Sequence, residues 1–520
     1  MSAVLESSSP QKTAIKRGRF AVNVVANVAN FGLAMIVGIC FVPYLIHHLG
    51  TAAYGLIPLA TTMTAYMALI TLGLNSAVGR SITIALEEGN EERARLVFNT
   101  SFVGSLILTG ALLGPALWMA MHTDWFLRVP PGYEGQARWL FVCTIFAFLL
   151  NEIKTPFDVA TFCHNRFDLR NLVSVCETTT RVGLVVLLFQ MTTPRLWHMG
   201  LGILAGAIVS SLGAIRFWRL LTPTLHVSVR NFDWGVLRSL TSTGGWVIVN
   251  QIGAILFLSI DLLVINRLLG AEASGRYAAV MQLPLTLRYL AAAIQSVFTP
   301  TILYLFARKD ITGLIAYARR AVKFIGLLLA LPISLLCGLS EPILRLWLGP
   351  KFGSLAPLLT LMSAHLCVNL AIMPLLNLQL ATDSMRVPGI VTMLMGLCNL
   401  GLALLLAGPM HWGLYGVAAA GAITLTGKNI AFTPLYAAHI LRRGYGTFFR
   451  EMLPIMGMTA MTVGLCRLAL LLEGTLNWSR LLASILVIAA VYLILVYRVL
   501  LSAQEREALW SMLPFAGRKR

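Results

Sequence analysis

The sequence predicts an all-α polytopic membrane protein of about 14 transmembrane helices, built as two parallel six-helix lobes followed by two C-terminal helices. Three observations carry this. Of 520 residues, 58% are hydrophobic and only 12% charged, with a mean hydropathy of +0.79, more apolar surface than a water-soluble fold can hide. The apolar residues come in runs of roughly 20 or more, the length that crosses a bilayer core as a helix, without the ten-residue alternation of a barrel strand. The chain also repeats itself. Leu49-Gly50 and Gly55 recur as Leu269-Gly270 and Gly275, an offset of 220 residues, each set between two apolar runs and ahead of a polar segment (Leu86–Asn90, Phe306–Asp310). Such internal duplication is common in transporters.

The runs lie near 20–46, 52–76, 98–121, 139–160, 171–190, 199–221, 241–266, 277–304, 321–340, 354–380, 387–408, 413–440, 451–472 and 479–500. The first is longer than a signal-peptide core and ends in Ile46-His47-His48-Leu49 rather than in small residues, so it reads as an uncleaved span. The expected organisation is an N-terminal tail (1–19), an N-lobe (20–221), a linker (222–240), a C-lobe (241–440), an appended pair of spans (441–500) and a C-terminal tail (501–520). Because the repeated runs leave the same side of the membrane, the lobes are parallel. In-plane amphipathic helices are expected at 87–96 and 311–321, where charged and apolar residues mix.

Basic residues set the orientation. With the N-terminus inside, only Arg128, Arg138, Arg195, Arg267, Arg276, Arg345, Lys351 and Arg480 occupy external loops, and most of the 40 lysines and arginines are cytoplasmic. Both tails are then cytoplasmic. The same asymmetry accounts for most of the +19 net charge without nucleic acid, and points instead to anionic phospholipid at basic segments such as Arg216, Arg219, Arg230 and Arg238. The eight cysteines show no disulfide, zinc or redox spacing and read as apolar packers. His47-His48 lacks a third ligand nearby, so no metal site and no cofactor is expected. The loops carry no phosphate-cradling glycine motif or nucleophile elbow, which argues against an enzyme.

Chemistry is expected where ionisable groups enter the spans, since each costs a few kcal/mol at the bilayer centre unless paired or hydrated. The bases are Lys154, Arg181, Arg288, Lys428 and Arg467; the acids are Glu152, Glu177 and Asp261, with Asp158 near a span end. Glu177 and Arg181 share a helix face and can pair; Glu177 can instead meet Lys154 across two helices. Arg288 and Lys428 have no intrahelical acid at three or four residues and sit mid-span. Together Arg181, Arg288 and Lys428 suggest a positively lined cavity suited to a phosphate or pyrophosphate. Arg467, nearer the outer third of its span and outside the repeat, ranks below them. Asn23, Asn27 and Asn30 recur at helical spacing, and with Asn250, Gln251, Gln282, Gln295, His365, Asn369, Asn377 and Asn399 they read first as helix–helix hydrogen bonds. Pro284, Pro332 and Pro374 mark kinks or hinges.

Several short segments resemble polysaccharide flippases: Thr71-Leu72-Gly73-Leu74-Asn75 with Arg80 and Glu88-Gly89-Asn90-Glu91-Glu92; Leu49-Gly50 with Tyr54-Gly55; and Asp261–Ile265 followed by Leu269-Gly270 and Gly275-Arg276-Tyr277. These proteins belong to the multidrug/oligosaccharidyl-lipid/polysaccharide (MOP) exporter superfamily. The resemblance implies a two-lobed bundle working by alternating access. It further implies transport of an undecaprenyl-pyrophosphate-linked oligosaccharide or polysaccharide precursor to the outer leaflet of the bacterial inner membrane. On that reading Arg181, Arg288 and Lys428 hold the pyrophosphate, Lys154 stands at the cytoplasmic entrance, and Asp261, Glu177 or Glu152 carries a coupling cation or proton. Glycosyltransferases or a polymerase of the same pathway are the expected protein partners. Two other readings compete: a cation-coupled multidrug exporter of the same superfamily, disfavoured by the basic mid-membrane balance, and a membrane glycosyltransferase or polymerase, disfavoured by short external loops. In the repeat, Asp261 aligns with Phe41, so a coupling carboxylate there belongs to one copy only.

Overall fold

The computed structural model describes residues 10–242, 245–382, 384–473, 477–503 and 505–506. The two tails fall partly beyond these: residues 1–9 and 507–520 lie outside the described residues, as do the side chains of 10–21, 24, 73–77 (which include Gly73–Asn75 of the Thr71–Asn75 motif), 241–247, 258 and 473. All regular structure among the described residues is helical. Numbering the helices by span, α1 is Pro10–Leu49, α2 Leu56–Glu87, α3 Glu91–Met121, α4 Glu134–Cys163, α5 Phe167–Met191 and α6 Leu196–Leu221. α7 is broken into Gly245–Leu258 and Ile260–Leu269; α8 is Ala271–Ala307 and α9 Ile311–Gly338. α10 comes in three pieces, Ala356–Ala364, Leu366–Ala371 and Met373–Ala381, followed by α11, Arg386–Ala407. α12 comprises Gly413–Gly427, a π-helical stretch Lys428–Phe432, and Thr433–Ile440. α13 is Met452–Glu473 and α14 Trp478–Leu495.

Among the described residues, 12 helices are long and apolar enough to cross a membrane, or 13 if the halves of α7, bent by 41°, form one span. The difference from 14 apolar runs has a physical cause. The run left out is 413–440, where Lys428 and Asn429 together with several glycines and threonines lower the mean hydropathy of the helix.

By contacts the chain divides into two compact units, Met1–Ala278 and Ala279–Arg520. In the first, α6 packs closely on α4 and α5. A Cβ at Gly200 would stand 3.0 Å from Cys143 of α4, and one at Gly206 would stand 3.0 Å from the Glu177 carbonyl of α5. Small residues here let backbones approach, which drives helix association in lipid. The asparagines of α1 tie it to α5. Asn23 donates to the Asn165 carbonyl (3.0 Å) and accepts from the Asp168 amide (3.1 Å); Asn171 donates to Asn27 (2.7 Å) and accepts from Asn30 (3.2 Å). The expected helix–helix role of these three residues is therefore realised.

The segment 222–240 is built into the first unit. Asn99 of α3 donates to the His226 carbonyl (3.0 Å) and accepts from the Ser228 amide (2.7 Å). Leu225 and Leu240 are buried with Phe98, Phe157 and Trp218, and the Phe98 and Trp218 rings stack at 5.5 Å.

The segments expected to form in-plane helices do not do so. Asn90 caps α3 by accepting from the Arg93 amide (2.9 Å), and Asp310 caps α9 from the Gly313 amide (2.9 Å). The chain turns sharply just before each cap, at Gly89 (φ 71°) and Lys309 (φ 56°). With the start fixed there and no breaker before the apolar run, the amphipathic residues become the opening turns of the spans themselves.

In the second unit α9 is the central strut. Gly326 abuts Ile455 of α13, and a Cβ at Gly338 would stand 3.0 Å from the Cys466 sulfur. The Ser334 hydroxyl donates across to the Thr459 carbonyl (3.2 Å). At the other end of α9, Arg319 forks onto Glu451 (3.0 and 2.7 Å) and Lys323 meets Glu505 (2.8 Å). The appended spans are thus fixed at both ends: Glu451 precedes α13 and Glu505 follows α14.

Candidate functional site

In the second unit, charge and helix interruption coincide. α10 breaks at His365 and again at Ile372, ahead of Pro374, whose missing N–H cannot serve the carbonyl four residues back. α12 loosens into its π stretch at Lys428, a distortion often found at functional positions. Between these interruptions runs a polar network. The Asn369 amide nitrogen donates to His365 Nδ1 (2.7 Å) and to the Thr426 hydroxyl (3.1 Å). The Asn369 carbonyl oxygen accepts from Asn429 (3.0 Å), whose own oxygen accepts from Thr433 (3.2 Å). Asn369, Asn429 and Thr433 are buried. Arg288 of α8 lies within electrostatic reach of His365, and Lys428 precedes Asn429 on the π stretch.

A second ladder joins α8 to α10. Gln295, two turns beyond Arg288, donates to the Met373 carbonyl (2.9 Å) and to Asn377 (3.3 Å), and Asn377 donates to Thr299 (2.9 Å). Gln295 therefore spans the second break of α10. Discontinuous helices carrying polar side chains and cations are the usual means of building a solute site inside a membrane.

In the first unit the charges are arranged differently from the sequence expectation. Lys154 donates to Ser210 (2.7 Å) and lies 3.6 Å from Asp158 on its own helix. It does not take Glu177 as its partner, because Asp158 sits one turn away on the same face. Arg181 is within electrostatic reach of Glu177, yet its Nε is buried with no hydrogen-bond partner. Neither pairing open to Glu177 is formed as a direct bond among the described residues. Glu152 lies half-buried on α4, two residues before Lys154. Asp261 opens the second half of α7 and is buried, and Tyr277 of α8 donates to its Oδ2 at 2.8 Å. Tyr66 of α2 also lies within its electrostatic reach.

Sequence reasoning named Arg288, Lys428 and Asp261 but not the polar side chains of the network and of the Asp261 contact: Thr426, Asn429, Thr433, Tyr66 and Tyr277. Thr426, Asn429 and Thr433 share one face of the run at 413–440, a signal the sequence does offer. The tyrosines offer none, since a membrane helix uses tyrosine freely at its ends. Arg467 lies elsewhere, lining a pocket with Glu341 and Arg345.

Comparison with known proteins agrees with this architecture. Residues 20–306 match the family model described as "Polysaccharide biosynthesis protein". The chain is 34% identical over 489 residues to the uncharacterized membrane protein EpsK of Bacillus subtilis (strain 168), covering 94% of this chain and 97% of that protein. It is 22% identical over 341 residues to a candidate O-antigen transporter of Shigella flexneri, covering 64% of this chain and 77% of the relative. Among solved structures it resembles the lipid II flippase MurJ in an inward closed conformation (TM-score 0.66, 16% identity, 91% of this chain and 97% of that one). It also resembles an inward-facing multidrug resistance MATE family transporter of the MOP superfamily (TM-score 0.60, 15% identity, 81% and 95%). The chain is a multi-pass membrane protein with the fold of these transporters, and it belongs to the polysaccharide biosynthesis protein family.

Proposed function

We propose that this protein translocates a lipid-linked oligosaccharide or polysaccharide precursor, carried on undecaprenyl pyrophosphate, from the cytoplasmic to the outer leaflet of the bacterial inner membrane. Both termini are cytoplasmic in this reading, the lobes are 20–221 and 241–440, and transport proceeds by alternating access. The observation that carries it is a buried amide and hydroxyl network at two helix interruptions, with Arg288 within electrostatic reach of its His365 and Lys428 opening the π stretch that bears its Asn429. A guanidinium and an ammonium in that setting suit an oxyanion, and the neighbouring amides suit sugar hydroxyls.

Arg288 and Lys428 take the headgroup in the second unit, and Arg181 contributes an anion contact in the first. Lys154, already engaged by Asp158 and Ser210, acts at the cytoplasmic entrance by exchanging Asp158 for phosphate. Asp261 is the leading coupling carboxylate because it is buried, accepts from the Tyr277 hydroxyl and lies within electrostatic reach of Tyr66; Glu177 and Glu152 are the others. Anionic phospholipid surrounds the basic cytoplasmic loops, and the enzymes that make and polymerise the sugar chain are its pathway partners.

The test is transport of a fluorescent undecaprenyl-pyrophosphate-linked saccharide in proteoliposomes, read by accessibility of the sugar to an external quencher or lectin. Wild-type protein moves it, and Arg288→Ala with normal expression and folding slows it about tenfold or more, the loss of one strong charge-assisted contact. Unimpaired transport by that variant would overturn the assignment of Arg288. Absence of transport by the wild type across several such lipids would overturn the cargo.

A further inference from the structure

At the end of α9 remote from Arg319 and Lys323, the chain turns through the short helix Ser340–Leu348 and the 3-10 turn Pro350–Leu355 before entering α10. Gly338 lies 19 residues beyond Arg319 on α9, about 29 Å at 1.5 Å per residue, about the thickness of a bilayer core, which sets this turn towards the membrane face opposite the Arg319 contact. A pocket of about 520 Å³ opens here, and its charged lining is Glu341, Arg345 and Arg467.

The two arginines reach this pocket from different elements, and each is positioned by packing. Cys466 is buried against Gly338, so the next residue along α13, Arg467, faces away from that contact. Arg345 lies across Gly353: a Cβ there would stand 2.7 Å from Cγ and 3.1 Å from Nε of the arginine. The bare backbone at 353 is what lets the guanidinium occupy this position. Arg345 also pairs with Glu341 at 3.3 Å, but that pair is half-exposed, at 53% and 52%, and so contributes little by itself.

Two guanidiniums therefore converge on one cavity against a single, weakly held carboxylate. Arginines that merely snorkel at a membrane border extend separately into water; these share a concave site. We infer that the pocket is a phosphate-recognition site, distinct from the Arg288 network, that takes a phosphate mono- or diester on the outer face. Planar guanidinium forks match phosphate oxygens two at a time, and Ser354 supplies a hydroxyl to the same lining. Incoming phosphate displaces Glu341 from Arg345. The group comes either from a bilayer phospholipid headgroup or from the pyrophosphate of a lipid-linked sugar.

The experiment uses full-length protein in phosphatidylcholine nanodiscs, titrated with inorganic pyrophosphate by calorimetry at two salt concentrations. Arg467→Gln is expected to weaken one class of sites about tenfold, and Arg467→Lys to restore most of the loss. Arg467 is exposed, so both variants fold. Gly353→Val, which pushes Arg345 aside, is expected to do the same from the other wall. Arg288→Gln leaves this class intact. Pyrophosphate binding unchanged in both Arg467→Gln and Gly353→Val overturns the site, whatever the transport assay shows. Loss of the class with transport unaffected supports it and leaves the transport reading separate. Native mass spectrometry then identifies the source: phosphatidylglycerol retained by wild type and lost in Arg467→Gln marks a phospholipid, whereas retention of only an added lipid-linked pyrophosphate marks the cargo.

Discussion

Gly55 and Gly275, the paired glycines of the sequence repeat, pack directly against each other. A Cβ on Gly55 would stand 2.7 Å from the Gly275 amide nitrogen, and a Cβ on Gly275 would collide with the Thr51 carbonyl. Their partners Gly50 and Gly270 both take positive φ, 79° and 94°, with extended ψ. The two copies thus make the same turn, and the turns meet.

The contact leaves no room for a side chain on either glycine. Gly275→Val is expected to separate the turns and to destabilise the protein by about 1–3 kcal/mol, the usual cost of overpacking. Gly55→Ala acts in the same direction, because it meets backbone rather than a flexible side chain. Thermal unfolding in detergent and the transport assay measure both effects. Wild-type stability in Gly275→Val would mean that the turns can part freely.

Asn369 is the hub of the second unit's polar network, bonded to His365, Thr426 and Asn429. Asn369→Leu leaves buried partners unsatisfied, at about 1–3 kcal/mol for each, and uncouples α10 from α12. We expect a lower melting temperature and slower transport, with Asn369→Gln only partly restoring either because the longer side chain shifts the amide. A variant with transport normal and stability reduced would show the network to be a brace alone.

How much of this was legible beforehand depends on the range of the interaction. The spans follow from local hydropathy, and the repeat that brings Gly55 to Gly275 is written in the spacing of Leu-Gly pairs. The asparagine ladder of α1 was visible as Asn23, Asn27 and Asn30, although its partner Asn171 was not, since nothing local marks which helix stands opposite. Lys154 shows both sides of this: its counter-charge Asp158 stands four residues on, a spacing the sequence offers, whereas only packing places Ser210 beside it. The breaks at His365 and Lys428 differ in the same way. No proline or glycine marks the break at His365, which the tertiary network stabilises, whereas Gly427 and Pro434 flank the π stretch and are signals that the sequence does offer.

The α1–α5 ladder offers a control for the transport assignments. Asn171→Ala removes the donor to Asn27 and the acceptor for Asn30, and is expected to cost about 1–2 kcal/mol, near the 0.6 kcal/mol mean per bond seen in membrane helices with some lost packing added. Because this ladder holds one helix to another and carries no charge, the salt dependence of pyrophosphate binding should not change. A changed salt dependence would place Asn171 nearer the anion path than its hydrogen bonds indicate.

The last contact to consider is Lys323 with Glu505, which fastens the segment after α14 to α9. Burial pushes the Glu505 carboxyl up, but the Lys323 ammonium and the Ser502 amide outweigh it and hold the group below its ordinary value. A carboxyl with a depressed pKa in the folded state stabilises fully above its unfolded pKa, about 4.3, and loses that contribution as pH falls through the folded value. The amides of Ser502, Glu505 and Arg506 should therefore stay protected from hydrogen exchange at neutral pH, after correction for intrinsic rates, and open as pH drops below about 4. Glu505→Gln should be less protected at neutral pH and show no such step. A step of equal size in that variant would place the titrating group elsewhere and leave the ion pair without a role in holding the appended spans.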